Sequence, residues 1–442
     1  MLVSENSPYR GSDFVLNGLP LSRFTGMLAT NSSLRNLWLA RAVSALGDYV
    51  YSVALMWFVY EQTHSALQTG LLFILKFLPE PFVGLYFGVL ADRLNRRRLM
   101  QFSDLFQMLA MLLLGVLIAS GSFQMWHLYV ITICASMAGT LFRIAQTSLI
   151  PDLVGRHELV SANALLSVTM QLMRMIGATL GGILVAIIGV AGTIEINALS
   201  FLVSLAFVQR IRHDKAQPAA SSASAKSVNS EIKEGLNWLV NNKIVLLLML
   251  LGTLANVALA PTNVLPPMLI QREFHGDARM LGWFETSIAL GLLLGGILVG
   301  TLSPKKVGRW FLAGLGLEAV GMLSVAVAPF AWMAYAGNFL LGIGVMVCNI
   351  PLSTLMQTLI PDRMRGRVNS MTSIAFNISI PITYGGIGAL ADVIGAKPSY
   401  GLGALLLALC AAIGGMNAGL RSFDLGEGQK AGEANEDAGQ AV

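Results

Sequence analysis

Arg41 and Asp48, Lys76 and Glu80, Arg143, Arg174 and Glu318 all fall inside long apolar runs of this sequence. An ionisable side chain in such a run is costly unless it is paired or faces water, so each marks a place where a ligand or a proton could be handled. Arg41 and Asp48 stand about two helical turns apart and so share one face of a helix. Asp48 lies near the middle of its run, where a carboxylate can take up and release a proton as its surroundings change. A structural ion pair to an arginine or to a neighbouring helix is the alternative. Lys76 and Glu80 are one turn apart, with Pro79 and Pro81 expected to break the helix around the acid. That pair could neutralise itself, although Lys before Glu is the less favourable order. Arg143 could bias proton release from a nearby acid through its fixed charge, or pair with Asp92 or Asp104. Arg174 and Glu318 could face the interior of a bundle, Glu318 equally as an inert paired group.

These residues need elements long enough to hold them in a bilayer. Of the 442 residues 55% are hydrophobic and 12% charged, about half the charge of a soluble chain. Apolar runs near 37–60, 66–90, 99–120, 126–149, 160–189, 192–211, 244–270, 281–303, 309–330, 332–358, 367–394 and 399–420 each approach the roughly 20 residues that cross a bilayer core. Runs this continuous lack the alternation of a barrel, and only helices otherwise satisfy their own backbone in lipid. The expected fold class is all-α, with twelve transmembrane helices. The net charge of +5 is spread over short loops, which makes the lipid bilayer, not nucleic acid, the expected partner. Cys134, Cys348 and Cys410 lie in apolar runs at no metal or disulfide spacing. There is no phosphate loop of the Walker type, and the five histidines lie near helix ends or in loops. Neither ATP drive, nor an enzymatic site, nor a metal or cofactor is expected.

Loop charge orients the spans. One side carries Arg10, Arg23 and Arg35, the cluster from Arg93 to Arg98, Lys305, Lys306 and Arg309, and Arg363, Arg365 and Arg367, while the other carries Arg272, Arg279 and Lys397. The positive-inside rule then places both termini in the cytoplasm. The chain divides into a tail (1–36), a six-helix bundle (37–211), a linker (212–243), a second bundle (244–421) and an acidic tail (422–442). The linker is rich in Ala, Ser and Lys and ends in a short amphipathic helix at 231–242. The bundles echo each other: Leu149-Ile150-Pro151-Asp152 recurs as Leu359-Ile360-Pro361-Asp362, and Gly84 and Gly88 before the first basic loop match Gly296 and Gly300 before the second. Parallel repeats of this kind put a site between two bundles near the membrane midplane, reached alternately from each side.

Gly88, then Asp92-Arg93, then Arg96-Arg97-Arg98 after the second of twelve spans resembles the signature loop of the major facilitator superfamily. With Ser44-Ala45-Leu46-Gly47-Asp48 and Ile150-Pro151-Asp152-Leu153-Val154, the likeness is greatest to its drug and macrolide efflux branch, which also holds enterobactin-type exporters. The resemblance implies alternating access, with Gly88, Asp92, Arg93 and Arg97 as a latch of the outward-facing state. Topology-setting charge is the plainer reading of the same residues. Asn95 replaces a glycine of that loop and is expected to tolerate the positive φ of a tight turn. Gly177-Ala178-Thr179-Leu180-Gly181-Gly182 resembles an antiporter motif without its proline, or serves close helix packing. Tyr51, Met137, Arg174, Asn349, Phe376 and Asn377 are candidates to line a substrate cavity, which the 21 methionines would help to adapt to varied ligands. The expected function is proton-coupled efflux of amphipathic drugs or a natural product across a bacterial cytoplasmic membrane. A dedicated carrier of a siderophore, lysolipid or other metabolite is the alternative. Two complete halves in one chain make a monomer sufficient.

Overall fold

The computed structural model describes residues 21–155, 158–212, 237–302 and 304–423. The linker expected at 213–230, the first half of the amphipathic segment and the acidic tail from Asp424 fall outside the described residues. So do most side chains between 362 and 381, among them Phe376 and Asn377.

The described chain is built from helices. Ten are long and apolar enough to cross a membrane, and two details bring the spans to twelve. The helix Leu159–Gln209 holds 51 residues, which at 1.5 Å per residue is more than twice the thickness of a bilayer core. Gly189 breaks it with φ 75°, a left-handed conformation open to glycine for want of a Cβ. Residues 159–188 and 190–209 are therefore the fifth and sixth spans. The eleventh is Asp362–Ile394. The others are Ser32–Thr63, Ala66–Phe77 continued by Pro79–Arg93, Arg96–Ala119, Met125–Leu153, then Lys243–Ala258 with its short continuations, Ala278–Leu302, Val307–Ala326, Ala331–Leu359 and Ala396–Met416. Phe82, Val393 and Met416 are each at least three-quarters exposed, among many exposed large apolar side chains spread over the outer faces of the spans, an apolar exterior of the kind a lipid-facing surface needs.

Side chains start several spans by accepting orphan backbone N–H groups. Asn31 accepts from Leu34 at 2.9 Å, and Ser65 from Gln68 at 3.3 Å. Asn95 corrects the sequence expectation. Its φ is −66°, and its side chain accepts the Arg98 N–H at 3.2 Å, so asparagine stands there as a helix cap and no positive φ is needed. At Pro79 and Pro81 the second span divides, as the prolines lead one to expect: one helix ends at Phe77 and the next begins at Pro79. Leu78 keeps helical angles (φ −58°, ψ −40°) and its N–H still reaches Ile74 O, so the span continues past the division.

Among the described residues, the two six-helix halves share a core at one end only. Trp57, Tyr60, Ala66 and Val185 of the first half pack into the same apolar cluster as Met268, Leu281 and Ala391 of the second. At the end that carries the basic loops, Leu37, Met100, Leu149 and Val208 form a cluster belonging to the first half alone. A cleft thus opens between the halves toward the basic loops.

Candidate functional site: a polar cleft between two helical halves

Arg41, Asp48, Lys76, Glu80 and Arg143, from the first, second and fourth spans, line one cavity of about 370 Å³ in the first half. Glu80 pairs with Arg143 at 2.5 Å, so Arg143 is not the partner of Asp92 or Asp104, and Glu80 is not neutralised by Lys76. Lys76 instead joins Arg41 as a charged neighbour of Asp48, while its backbone carbonyl accepts the Ser136 hydroxyl. Asp104 lies behind the wall, fully buried, and accepts from Ser204 at 2.8 Å. Three further polar groups line this cavity and are buried, the Tyr51 hydroxyl beside that of Thr132 and the Asn197 amide beside Asp48. They converge on one space that also holds three cations and two acids. The cavity is suited to a polar or ionic guest.

A second cavity of about 250 Å³ lies on the other half, lined by Asn256, Asn349 and Tyr384 among others, with Arg174 reaching in from the fifth span. Phe73, on the first cavity, meets Tyr384 edge to face at 5.8 Å. That aromatic pair stands between the two spaces. Of the residues singled out in the sequence, Arg174 and Asn349 line this second cavity. Met137 lines neither cavity, and Glu318 is 1% exposed in the packing of the ninth span, one carboxylate oxygen without a partner. The intramembrane acid that acts on Arg174 is Glu285 of the eighth span. Its place in the run Trp283-Phe284-Glu285-Thr286 carried the same signal as Glu318, an acid within an apolar span.

The closed end is sealed by contacts the sequence did not announce. Asp392, at the end of the eleventh span, crosses to the start of the second. It accepts from Ser65 Oγ at 2.6 Å, Ala66 N at 2.6 Å and Leu67 N at 3.1 Å. Arg272 donates to His64 O at 2.9 Å and lies over the Tyr60 ring. Thr179 and Thr286 share a hydrogen bond at 2.5 Å. Close backbone approach completes the seal: a Cβ on Gly182 would come within 2.4 Å of Ala278 O, and one on Gly388 within 2.6 Å of Ala66 O. In the glycine-rich stretch, Gly177 and Gly181 face Tyr49 and Val50 of the first span, whereas Gly182 faces the eighth. The stretch packs three helices together.

At the open end Asp92 and Arg93 are exposed, and a Cβ on Gly88 would meet nothing within 4 Å. Arg97 donates to Ile211 O at 2.9 Å, and Arg96 pairs with Asp152 and donates to Ser148 O at 2.9 Å. The arginines brace their own half. Among the described residues no group of His, Cys, Asp and Glu could hold a metal ion.

Twelve membrane helices in two halves about a charged central cleft define a multi-pass membrane transporter of the major facilitator fold, not an enzyme. The chain belongs to the transmembrane secretion effectors of the major facilitator superfamily, whose family model matches residues 27–436. Relatives include a macrolide efflux protein of Streptococcus pyogenes, 24% identical over 88% of this chain and 96% of that one. An enterobactin exporter of Citrobacter koseri is 27% identical over 87% of this chain and 89% of its own. Among solved structures, a bacterial homologue of the human lysosomal transporter Spinster, in an inward-facing and unoccupied conformation, superposes with a TM-score of 0.70. It is 14% identical and covers 88% of this chain and 97% of its own, which bears on the fold alone.

Proposed function

We propose that the protein exports amphipathic small molecules from a bacterial cytoplasm in exchange for protons, with its basic loops on the cytoplasmic side. The carrying observation is the first-half cavity, where Asp48 stands among Arg41, Lys76 and buried polar groups beside an open cleft. Cations beside a carboxylate favour its charged form, so a rearrangement that draws Arg41 or Lys76 away from Asp48 would let it take up a proton, and their return would release it on the other side. Glu80 and Arg143, paired on the same cavity, are the second group that can exchange partners during the cycle. On this reading the open end faces the cytoplasm. Asp92, Arg93, Arg97 and Gly88 then lie on the end that closes when the protein turns outward, where Asp92 would meet the start of the eleventh helix. The named relatives that export macrolides and enterobactin support the direction. A dedicated exporter of one metabolite or siderophore is the second reading, favoured by the polar second-half cavity.

The test is accumulation of lipophilic dyes and macrolides in energised inverted vesicles that contain the full chain. Uptake should collapse with the proton gradient and be lost in Asp48→Asn at equal protein level. Uptake indifferent to the gradient would refute proton coupling, and full coupled uptake by Asp48→Asn would remove that residue from the mechanism.

A further inference from the structure

The geometry points to the second-half cavity as a binding site for the anionic head of an amphipathic organic acid, held by Arg174. This rests on the exporter reading and specifies what the cleft selects. The chemistry of the lining is one-sided. Arg174 makes no hydrogen bond or ion pair within 4 Å among the described residues, and no carboxylate belongs to the lining. Glu285 acts on the guanidinium only at longer range. An arginine at this depth, with five N–H groups in a planar fork, is costly unless an acceptor meets it.

The neighbours extend the same preference. Asn349 and Tyr384 make no side-chain hydrogen bond among the described residues, which leaves an amide N–H₂ and a phenol O–H free to donate beside the guanidinium. Asn256 and Asn263 already donate to Gly252 O and Leu259 O, so they present carbonyl oxygens that suit a hydroxyl or amide farther along the guest. Ile288, Leu292, Leu341 and Val345 supply an apolar wall. A carboxylate, sulfonate or phenolate on a ring or chain satisfies every part. A cation satisfies none of the donors.

The placement also explains how such a ligand could drive the cycle. Arg174 is carried by the first half, whereas the amides and the apolar wall are carried by the second. Met170, one turn earlier on the same helix, lines the first-half cavity, so the fifth span passes from one space to the other. A ligand held by both halves binds one arrangement of them better than another, which is the condition for a ligand to shift a two-state equilibrium.

The experiment uses the full chain in lipid nanodiscs, with binding to empty nanodiscs subtracted, and 2-naphthoate and 2-naphthylmethylamine as probes of equal shape and opposite charge. The wild type should bind the acid saturably and at least about tenfold more tightly than the amine. Arg174→Gln should weaken the acid about tenfold or more and leave the amine unchanged. Arg174→Lys should fall between, because a point charge replaces the fork. Tyr384→Phe, which removes one oxygen only, should weaken the acid severalfold and serves if Arg174→Gln does not fold. Equal affinity for the two probes, no saturable binding of the acid by the wild type, or acid affinity unchanged in Arg174→Gln and Tyr384→Phe overturns the assignment. The vesicle assay separates the two readings. A wild type that binds naphthoate but moves no compound sinks the exporter and leaves the site standing; gradient-driven dye uptake without naphthoate binding does the reverse.

Discussion

Replacing Asp392 by alanine should open the closed end without unfolding the protein. The carboxylate takes three hydrogen bonds from the start of the second span, at 2.6, 2.6 and 3.1 Å, and it sits where the helix dipole favours a negative charge. A hydrogen bond to a charged group contributes about 1.5 to 3 kcal/mol when buried, and the dipole adds about 0.3 to 1 kcal/mol at a surface. Asp392 is exposed, so water competes for all three donors once it is gone. A net loss of about 2 kcal/mol is expected, a shift of roughly thirtyfold between the two arrangements of the halves. The second span keeps its own cap, since Ser65 also accepts from Gln68, so helix unravelling is a small term. Spin labels report the outcome. A pair at Glu61→Cys and Arg279→Cys reads the closed end, and a pair at Arg98→Cys and Lys305→Cys reads the open one; all four positions are exposed. Asp392→Ala should lengthen the first distance and shorten the second. If both distance distributions match those of the parent, the view of Asp392 as a clamp between the halves is wrong.

Further substitutions test the seal and the brace. Gly388→Leu places a side chain where even a Cβ lies within 2.6 Å of Ala66 O, so the same spin-label pair at the closed end should report separation. Gly316→Leu, whose Cβ meets nothing within 4 Å, should leave it unchanged. Arg96→Gln should cost about 1 kcal/mol, because its pair with Asp152 is only partly shielded from water. Thermal inactivation in detergent should show the loss, and the double variant with Asp152→Asn should be no less stable than the worse single one.

The spans were legible because a helix that crosses lipid must be apolar along its whole length, a signal carried by each run alone. Asp48, Glu80, Arg41 and Arg143 stood out in the sequence as ionisable groups inside apolar runs, which have few tolerable positions in a bilayer, and all four line one cavity. Partners were not legible. Lys76 and Glu80 share a helix face, yet Glu80 turns to Arg143 on the fourth span, and no local pattern says which helix will stand opposite. Glu318 and Glu285 look alike in sequence, and only the packing of the ninth span against the tenth buries the first while the second lies within reach of Arg174. Asp392 ends its span as a topology-setting acid might, and its function depends on a residue more than 300 positions away. Asn95 misled because the glycine it replaces suggested a conformation, whereas its side chain supplies a cap.

The second and eleventh spans run antiparallel across the boundary between halves, and each carries an acid in its last turns, Asp92 and Asp392. Asp392 closes one end of this pair and is bonded. Asp92 stands at the other end, exposed, on the same face of the molecule as the start of Asp362–Ile394. Both helix starts carry partial positive charge, so the contact Asp392 makes is favourable, and the one proposed for Asp92 would be favourable in the same way. The halves can close only one end at a time. Their population is then governed by the difference between two similar terms of about 1 to 2 kcal/mol each, not by their sum. A balance that close can be tipped by one ligand in the cleft or, on the proposed mechanism, by one proton on Asp48. It follows that Asp92→Asn should favour the arrangement seen here and Asp392→Asn the opposite one. The double variant should return toward the parent, with both spin-label distances broadened because neither end is held. A double variant that reproduces either single one would mean that the two acids do not act on the same equilibrium.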